Sequence, residues 1–208
     1  MAELISVNPY SPEEWILKDA AAELRKGGIA VIPTDTVYAI VCSVDRKNAG
    51  EALYRLKGPS GSAIGKPLSV IFKDLSSVSE YTRGLPNHAY KSMKRALPGP
   101  YTFILTASKR IPSAALQGRK TIGVRIPAHP VTRALMEMLD SPLLCTSVYH
   151  QPGDMPMDDP IEISTRFGSD VGWVVDAGPI FPEPSTVVDL SSGQVEVLRE
   201  GKGSLDNL

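Results

Sequence analysis

Hydroxyl-bearing and cationic side chains follow or interrupt several apolar segments of this chain. Thr34, Asp35 and Thr36 come directly after a short apolar run, and Arg125 lies inside another, residues 122–126. Because a buried arginine must be paired, Arg125 is expected to contact either a structural carboxylate or an anionic ligand. Cations beside hydroxyl and main-chain N–H groups suit phosphate and carboxylate ligands. The residues alone leave a phosphate-type pocket and a purely structural network equally open.

Further residues of this kind lie near predicted strand ends, where α/β sheets gather their ligand sites. They are Lys57, Lys66, Ser147, Ser185, Thr186 and Arg199. Each has a simpler explanation as well. For Thr36 the simpler explanation is a role in capping a turn, and for Ser147 it is a hydrogen bond to the neighbouring backbone. Lys57 and Lys66 flank the Gly/Ser-rich residues 58–65 and can be ordinary loop charges.

Several familiar catalytic and metal-binding patterns are absent from the sequence. It has no GxxxxGK[ST] phosphate loop, no GxGxxG after a strand and no nucleophile elbow. The spacing of the two cysteines and three histidines fits no zinc site, so no structural metal is expected. Cys42 and Cys145 each lie in an apolar, strand-like run, which predicts free, buried thiols in a reducing compartment.

The basic residues are concentrated in one stretch of the chain. Residues 81–136 contain ten Lys and Arg and no Asp or Glu, whereas the remainder has 12 basic and 23 acidic side chains. The net charge of −1 therefore conceals a segregation of sign. A one-sign surface concentrates anions such as nucleotides, phosphates or RNA. The alternative is a solvated face whose charges are offset in space by acids from other segments.

Length and composition indicate one soluble globular domain. The chain has 208 residues, of which 42% are hydrophobic and 22% charged, enough for a sizeable core. No apolar run approaches the ~20 residues that cross a bilayer, and residues 1–12 lack the pattern of a signal peptide. We expect a cytoplasmic protein with no membrane partner; the alternative is a mature organellar protein without its transit segment.

Helical and strand patterns alternate along the chain. The first helix is predicted to begin with a Ser11–Glu14 capping box, to carry an apolar stripe of Trp15, Ala20, Ala21 and Leu24, and to end at Gly27-Gly28. Further helices are predicted over residues 48–56, 75–80, 86–97, 130–139 and 160–167. Strands are predicted over residues 29–33, 67–72, 102–106, 121–126, 143–148, 173–176, 185–190 and 195–199, the last two as a pair. This order favours an α/β fold with a mixed sheet over a purely parallel one.

Five segments, in this order, resemble the YrdC domain family. They are GGIAVIPTDTVY at residues 27–38, LPGPYTFIL at 97–105, TIGVRIP at 121–127, PSTVVD at 184–189 and VLREG at 197–201. The resemblance implies a single-domain twisted mixed sheet flanked by helices, with a basic concave face in which the acid-free stretch would lie. The domain is expected to span residues 10–203, with residues 1–9 and 204–208 as short termini.

The best-known members of this family are threonylcarbamoyl-AMP synthases. They join L-threonine, bicarbonate and ATP into threonylcarbamoyl-AMP and pyrophosphate, for the t6A modification at position 37 of tRNA. By position, the resemblance implies that Thr36 and Arg125 contact the amino acid, and that Lys57 and Arg125 act catalytically on carboxylate or phosphate groups. The residues implied to line the nucleotide site are Lys66, Thr121, Ser147, Ser185 and Arg199. ATP would be a substrate, accompanied by Mg²⁺, and no protein metal ligands are predicted.

Four positions depart from the synthase pattern and resemble the YciO branch of the family. The synthase pattern has an arginine two residues after Lys57 and an asparagine two residues after Ser147, and here these positions hold Pro59 and Tyr149. The pattern also has a histidine at the end of the strand over residues 67–71 and a glycine after Tyr38, and here these positions hold Ile71 and Ala39. Losing the arginine and the asparagine would each remove ~2–4 kcal/mol of charge stabilisation and reduce the rate. Lys66 is our hypothesised replacement for the missing arginine.

Two other functions fit the sequence. The first is a YciO-type protein without synthase activity that binds double-stranded RNA or tRNA by shape and phosphate charge, with Lys91, Lys94 and Arg95 as contacts. The second is a degenerate family member that acts as a partner or regulator.

Overall fold

The architecture is a single large sheet with helices on both faces. The computed structural model describes residues 2–56, 68–149 and 154–208. The strands in this part of the chain are β1 Glu3–Ser6, β2 Ile29–Ile32, β3 Ala39–Ser43, β4 Ser69–Ile71, β5 Tyr101–Thr106, β6 Thr121–Arg125, β7 Leu143–Ser147, β8 Trp173–Asp176, β9 Thr186–Asp189 and β10 Glu196–Arg199. The helices are α1 Glu14–Lys26, α2 Lys47–Leu56, α3 Leu75–Tyr81, α4 Asn87–Ala96, α5 Ser113–Leu116, α6 Pro130–Glu137 and α7 Pro160–Phe167, followed by a 3₁₀ turn at Leu205–Asn207.

The strands pair in the order β1-β8-β2-β3-β7-β4-β6-β5-β9-β10. Parallel pairs (β1–β8, β2–β8, β4–β6 and β5–β9) occur beside antiparallel ones. The predicted mixed α/β sheet is therefore confirmed, including the antiparallel closing pair β9–β10. The sheet also includes β1, so it extends beyond the predicted domain limits of residues 10–203.

The first helix differs from its prediction at one end and agrees at the other. The N-cap, Glu13, makes no side-chain cap bond, so the predicted Ser11–Glu14 capping box is wrong. Trp15 is 72% exposed rather than buried, because the buried stripe of α1 begins at Leu17. The predicted end at Gly27 is confirmed: this residue has a φ of 98°, a left-handed conformation that glycine adopts without steric cost.

Alternating side chains of the strands belong to two separate cores. On one face, α2, α3, α4 and α7 pack over the sheet, and the core there includes Phe103, Ile122 and Val124. On the other face, α1 and α6 pack over β2, β3 and β7, with Ala30 and Val41 in the core. This second core includes no residue of β5, β6 or β9 among the described residues. The outer half of that face is therefore left for a cavity.

The described helices are short. None of them is long and apolar enough to cross a membrane. Cys42 and Cys145 are free and buried, as predicted. Burial raises the pKa of the Cys42 thiol to about 12, so this thiol remains protonated at neutral pH.

Candidate nucleotide and amino-acid site

A cavity of about 360 Å³ opens on the half of the sheet that α1 and α6 leave uncovered. Its lining comes from segments that are distant in sequence, among them the turn after β2, β4, β5, β6, the end of β7, β9 and β10. The predicted site residues that line it are Thr36, Thr121, Arg125, Ser147, Ser185 and Arg199. The fold therefore brings six of the eight predicted substrate-binding residues to one place.

The other two predicted residues of this site, Lys57 and Lys66, lie outside the described residues. The hypothesis that Lys66 replaces the family arginine therefore stays a prediction.

The floor of the cavity follows from the alternation of side chains along β6. Val124 is buried in the core below, and Ile122 belongs to that core while also bordering the cavity, whereas Thr121, Gly123 and Arg125 line the cavity. A Cβ atom added at Gly123 would lie 2.5 Å from Oγ of Ser69 on the neighbouring β4. Glycine at this position therefore leaves room on the floor for the side chains of Ser69 and Thr102, which come from the two strands that flank β6.

Arg125 contacts an internal carboxylate, which is one of the two predicted alternatives, and it also lines the cavity, while its contact with an anionic ligand stays a prediction. Its side chain is only 7% exposed. Nη2 donates to Oγ1 of Thr36 at 2.8 Å and to Oδ1 of Asp35 at 3.2 Å. Nε is buried and has no hydrogen-bond partner among the residues that the structure describes. The structure thus holds a cation in the cavity wall whose donors are not all used, and an anionic ligand is the kind of group that would use them.

The turn after β2 positions Thr36 against Arg125. Oγ1 of Thr34 donates to the carbonyl oxygen of Val37 at 2.6 Å and accepts from the main-chain N–H groups of Thr36 and Val37 at 3.2 Å each. Thr34 is fully buried and is absent from the cavity lining. The simple explanation, that a threonine here stabilises a turn, holds for Thr34, whereas Thr36 faces the cavity.

Asp35 fixes the same turn to two other parts of the protein. Its Oδ2 accepts from the main-chain N–H of Ala128 at 2.8 Å, beyond the end of β6. Its carbonyl oxygen accepts from Nζ of Lys202 at 2.7 Å. Lys202 was not predicted, because its contact depends on the C-terminal segment folding back over the turn. No local sequence pattern reveals such a contact.

The opposite end of the cavity is formed around Ser185. Arg199 donates to the carbonyl oxygen of Ser185 from Nη2 at 2.8 Å and from Nε at 3.1 Å. The hydroxyl of Ser185 lies 2.8 Å from that of Thr102 on β5. Arg199 is exposed, so its charge is available at the rim. This end offers hydroxyls and a guanidinium, a combination suited to the phosphate or ribose of a nucleotide.

The lining has a positive balance. Among the described residues it contains the side chains of Arg119, Arg125 and Arg199, and one carboxylate, that of Asp189. Arg119, Ser69 and Thr102 were not singled out from the sequence. The alternation along β6, extended two residues before Thr121, is the pattern that would have identified Arg119.

The predicted RNA-contact residues do not belong to the cavity. Lys91, Lys94 and Arg95 lie on α4, which packs its buried residues Ala89 and Met93 into the core on the opposite face. All three are exposed. The acid-free stretch therefore does not form one surface: part of it lines the cavity and part lies behind the sheet.

Comparisons with known proteins agree with this geometry. The family model Sua5_yciO_yrdC, described as "Telomere recombination", matches residues 22–201. The uncharacterized protein YciO of Escherichia coli K12 is 36% identical over 206 residues, which are 99% of this chain and 98% of that protein. The threonylcarbamoyl-AMP synthase of Homo sapiens is 33% identical over 209 residues, 94% of this chain and 72% of that protein.

Solved structures show the same relationship. The crystal structure of E. coli YciO matches with a TM-score of 0.90 and 36% identity, covering 100% of this chain and 99% of that one. Pyrococcus abyssi Sua5 complexed with L-threonine matches with a TM-score of 0.87 and 27% identity, covering 96% of this chain and 58% of that one. On the fold, the family model and these relatives, the chain belongs to the Sua5/YciO/YrdC family.

Proposed function

We propose that the cavity binds ATP and an amino acid, and that the protein makes threonylcarbamoyl-AMP from L-threonine, bicarbonate and ATP. The observation that supports this most is the convergence of six predicted residues on one cavity, with Arg125 bonded to Thr36 at its inner end. The related Sua5 from P. abyssi has been crystallised with L-threonine. The product would serve t6A formation in tRNA.

The reaction needs no protein nucleophile. Threonine and bicarbonate would condense to a carbamate with loss of water. A carbamate oxygen then attacks the α-phosphorus of ATP, the bond from that phosphorus to the α,β-bridging oxygen breaks, and its electron pair leaves on pyrophosphate. The protein's part is to align the carbamate with the phosphorus and to offset the growing negative charge. Arg125 and Thr36 would hold the amino acid, while Ser185 and Arg199 would hold the nucleotide.

Mg²⁺ would arrive with ATP rather than on protein ligands. No group of three or more His, Cys, Asp or Glu side chains suited to a metal occurs in residues 2–56, 68–149 and 154–208. In the described lining the only carboxylate is Asp189, one oxygen of which already accepts from the main-chain N–H of Ser191 at 2.7 Å. We therefore assign the metal to the MgATP substrate and no step to a protein-bound ion.

A reduced rate is part of this proposal. Pro59 and Tyr149 occupy positions where the synthase pattern has an arginine and an asparagine. Two lost donors at ~2–4 kcal/mol each would slow the step by several powers of ten unless other residues supply the charge.

The direct test is to incubate the protein with MgATP, L-threonine and bicarbonate. Pyrophosphate release and the adenylate, identified by mass spectrometry, should both require all three substrates. Arg125→Met should reduce the signal by about 10²–10³-fold, while Lys91→Met, an exposed change behind the sheet, should leave it unchanged. Failure of the unmodified protein to form adenylate, with or without added tRNA, would refute the synthase proposal.

RNA binding is the second candidate, supported by the cationic outer surface of α4. Lys91, Lys94 and Arg95 are exposed there, and within the described residues no ion pair with an Asp or Glu side chain involves them. Arg95 also donates to the main-chain oxygen of Leu208. If they contact phosphates, charge reversal at the three positions should abolish affinity, and neutralising each one should reduce the salt slope of binding by about 1. Reversal that leaves both affinity and slope unchanged would exclude this surface.

A further inference from the structure

The segment after β10 folds back against the start of β9 and is held there by its main chain. The main-chain N–H of Lys202 donates to the carbonyl oxygen of Pro184 at 3.0 Å. Oγ1 of Thr186 accepts from the main-chain N–H of Gly201 at 3.0 Å and donates to the carbonyl oxygen of Gly203 at 2.7 Å. A Cβ atom added at Gly201 would lie 2.3 Å from the carbonyl oxygen of Pro184, so the fit is close. The main chain around Lys202 is therefore fixed, although Lys202 itself is exposed.

From this position the side chain of Lys202 extends to the turn after β2. Its Nζ donates to the carbonyl oxygen of Asp35 at 2.7 Å. Thr36, which follows Asp35, lines the cavity, and so do Pro184 and Ser185. Lys202 therefore joins the segment of the cavity wall that is proposed to hold the amino acid to the segment that is proposed to hold the nucleotide.

The bond from Lys202 completes the hydrogen bonding of the peptide unit that precedes Thr36. This unit consists of the carbonyl group of Asp35 and the N–H group of Thr36. The N–H group donates to Oγ1 of Thr34 at 3.2 Å, and the carbonyl group accepts from Lys202. A peptide unit is planar and turns as one body, so bonds on both of its sides fix its orientation. Without the Lys202 side chain, this unit would be held on one side only.

The orientation of Thr36 determines which group this end of the cavity presents to a ligand. Its Oγ1 accepts from Nη2 of Arg125 at 2.8 Å and lies 3.1 Å from Oγ1 of Thr34. The turn has further anchors at the carboxylate of Asp35 and at the carbonyl oxygen of Pro33. Neither of them acts on the peptide unit before Thr36. Lys202 is therefore suited to control the direction of the Thr36 side chain.

We propose that Lys202 is a positioning residue for the amino-acid end of the cavity, and that it orients Thr36 by fixing the preceding peptide unit. This inference rests on the proposed function of the cavity. Lys202 is not part of the cavity lining, so it acts through the turn and not by contact with a substrate. Because water competes for a bond at an exposed position, its loss should weaken amino-acid binding by a modest factor.

The experiment measures the binding of L-threonine and of ATP to the full chain by calorimetry. Lys202→Met removes the charged donor and keeps a long, unbranched side chain. It should weaken L-threonine about three- to tenfold, the size of one hydrogen bond, and change the affinity for ATP by less than about twofold. Lys202→Arg, which keeps a charged donor, should recover most of the L-threonine affinity. The matched control is Lys18→Met, the same change at an exposed position of α1, and it should bind both ligands as the unmodified protein does.

Hydrogen exchange tests the positioning without any ligand. The amide hydrogens of Thr36 and Val37 both bond to Oγ1 of Thr34. They should exchange faster in Lys202→Met than in the unmodified protein, because the peptide unit before Thr36 has lost one of its two bonds. The amide hydrogen of Gly201 should exchange at an unchanged rate, since its bond does not involve the Lys202 side chain.

The outcomes separate the inference from the proposed function. If the unmodified protein does not bind L-threonine, the proposed function fails and the inference fails with it. If it binds both ligands, and Lys202→Met binds L-threonine as tightly as Lys18→Met does, the inference fails and the proposed function stands. An equal loss of L-threonine and ATP affinity in Lys202→Met would also overturn the inference, because that pattern indicates a generally distorted cavity. Unchanged exchange at Thr36 and Val37 would overturn it as well.

Discussion

The two halves of one sheet face differ in what covers them. Over β2, β3 and β7, helices α1 and α6 bury residues such as Ala30 and Val41 completely. Over β6, β5 and β9 the same face presents Thr121, Thr102 and Ser185 to a cavity. The first half stabilises the fold through apolar burial, whereas the second leaves polar groups where a ligand can pair with them. The site lies where the helical cover ends.

The Arg125–Asp35 pair lies in the polar half, and it bears both on the stability of the fold and on the proposed ligand site. Because both side chains are largely buried, at 7% and 12% exposure, removing one leaves the other as an uncompensated charge. The pair thus contributes to stability, and it fixes the Arg125 side chain in the cavity wall, where the proposed anionic ligand would bind. Mutations on either side of the boundary between the halves can separate these roles.

Arg125→Met should have the largest effect. We expect activity to fall by about 10²–10³-fold through loss of charge stabilisation, and the free energy of unfolding to fall by about 3–5 kcal/mol because Asp35 is left unpaired. Adding Asp35→Asn should restore much of the stability and none of the activity. Urea unfolding and pyrophosphate release measure the two effects. Recovery of activity in the double variant would contradict a substrate-binding role for Arg125.

Leu24→Ala tests the covered half. Leu24 is fully buried in the core between α1 and the sheet, so truncation should lower the free energy of unfolding by about 2–5 kcal/mol. ATP and L-threonine affinities, measured where the variant is folded, should stay within about twofold of the original, since uniform loss of stability does not alter a separate site. A selective loss of ligand affinity would show that the two halves are coupled.

The sequence predicted the elements of this fold better than their contacts. The strand at 121–126 and its buried Arg125 followed from an apolar run interrupted by a charge, and the position of Gly27 followed from helix-ending chemistry. The Ser11 capping box failed because the carboxamide of Asn8 accepts from the main-chain N–H of Ser11, at 3.1 Å, and the helix begins later. A sequence pattern does not predict which of several neighbouring polar groups will cap a helix.

Contacts between distant segments were the least predictable. Pairing of Arg125 with Asp35 joins residues 90 apart in sequence, and the bond from Lys202 to Asp35 spans 167. The placement of Lys91 behind the sheet also depended on which face α4 covers, a choice that charge patterning does not determine. The family resemblance therefore predicted which residues belong to the site, whereas their positions relative to one another depend on tertiary packing.

Thr102→Val should have a moderate effect and tests the polar floor. The change keeps the shape of the side chain and removes the hydroxyl that lies 2.8 Å from the hydroxyl of Ser185. We expect ATP affinity to fall about three- to tenfold, the size of one neutral hydrogen bond. Thr102→Ser, which keeps the hydroxyl, is the matched control. Equal affinities for both variants would show that the nucleotide does not use this pair of hydroxyls.

Substituting His129 should have the smallest effect of these changes, and it should alter only the pH dependence of stability. Its Nδ1 accepts from the main-chain N–H of Val131 at the start of α6, a bond that only the neutral ring can make. Burial lowers the pKa of His129 from its usual value of 6.5, with Lys202 acting in the same direction and Asp35 against it. The unfolded chain therefore binds more protons than the folded one as the pH falls below about 6.5.

The protein should lose stability on acidification from pH 7.5 to 5, and the His129→Asn variant, in which the asparagine still caps α6, should lose less. Urea unfolding at both pH values measures the difference, and identical losses in the two proteins would show that His129 does not contribute to it.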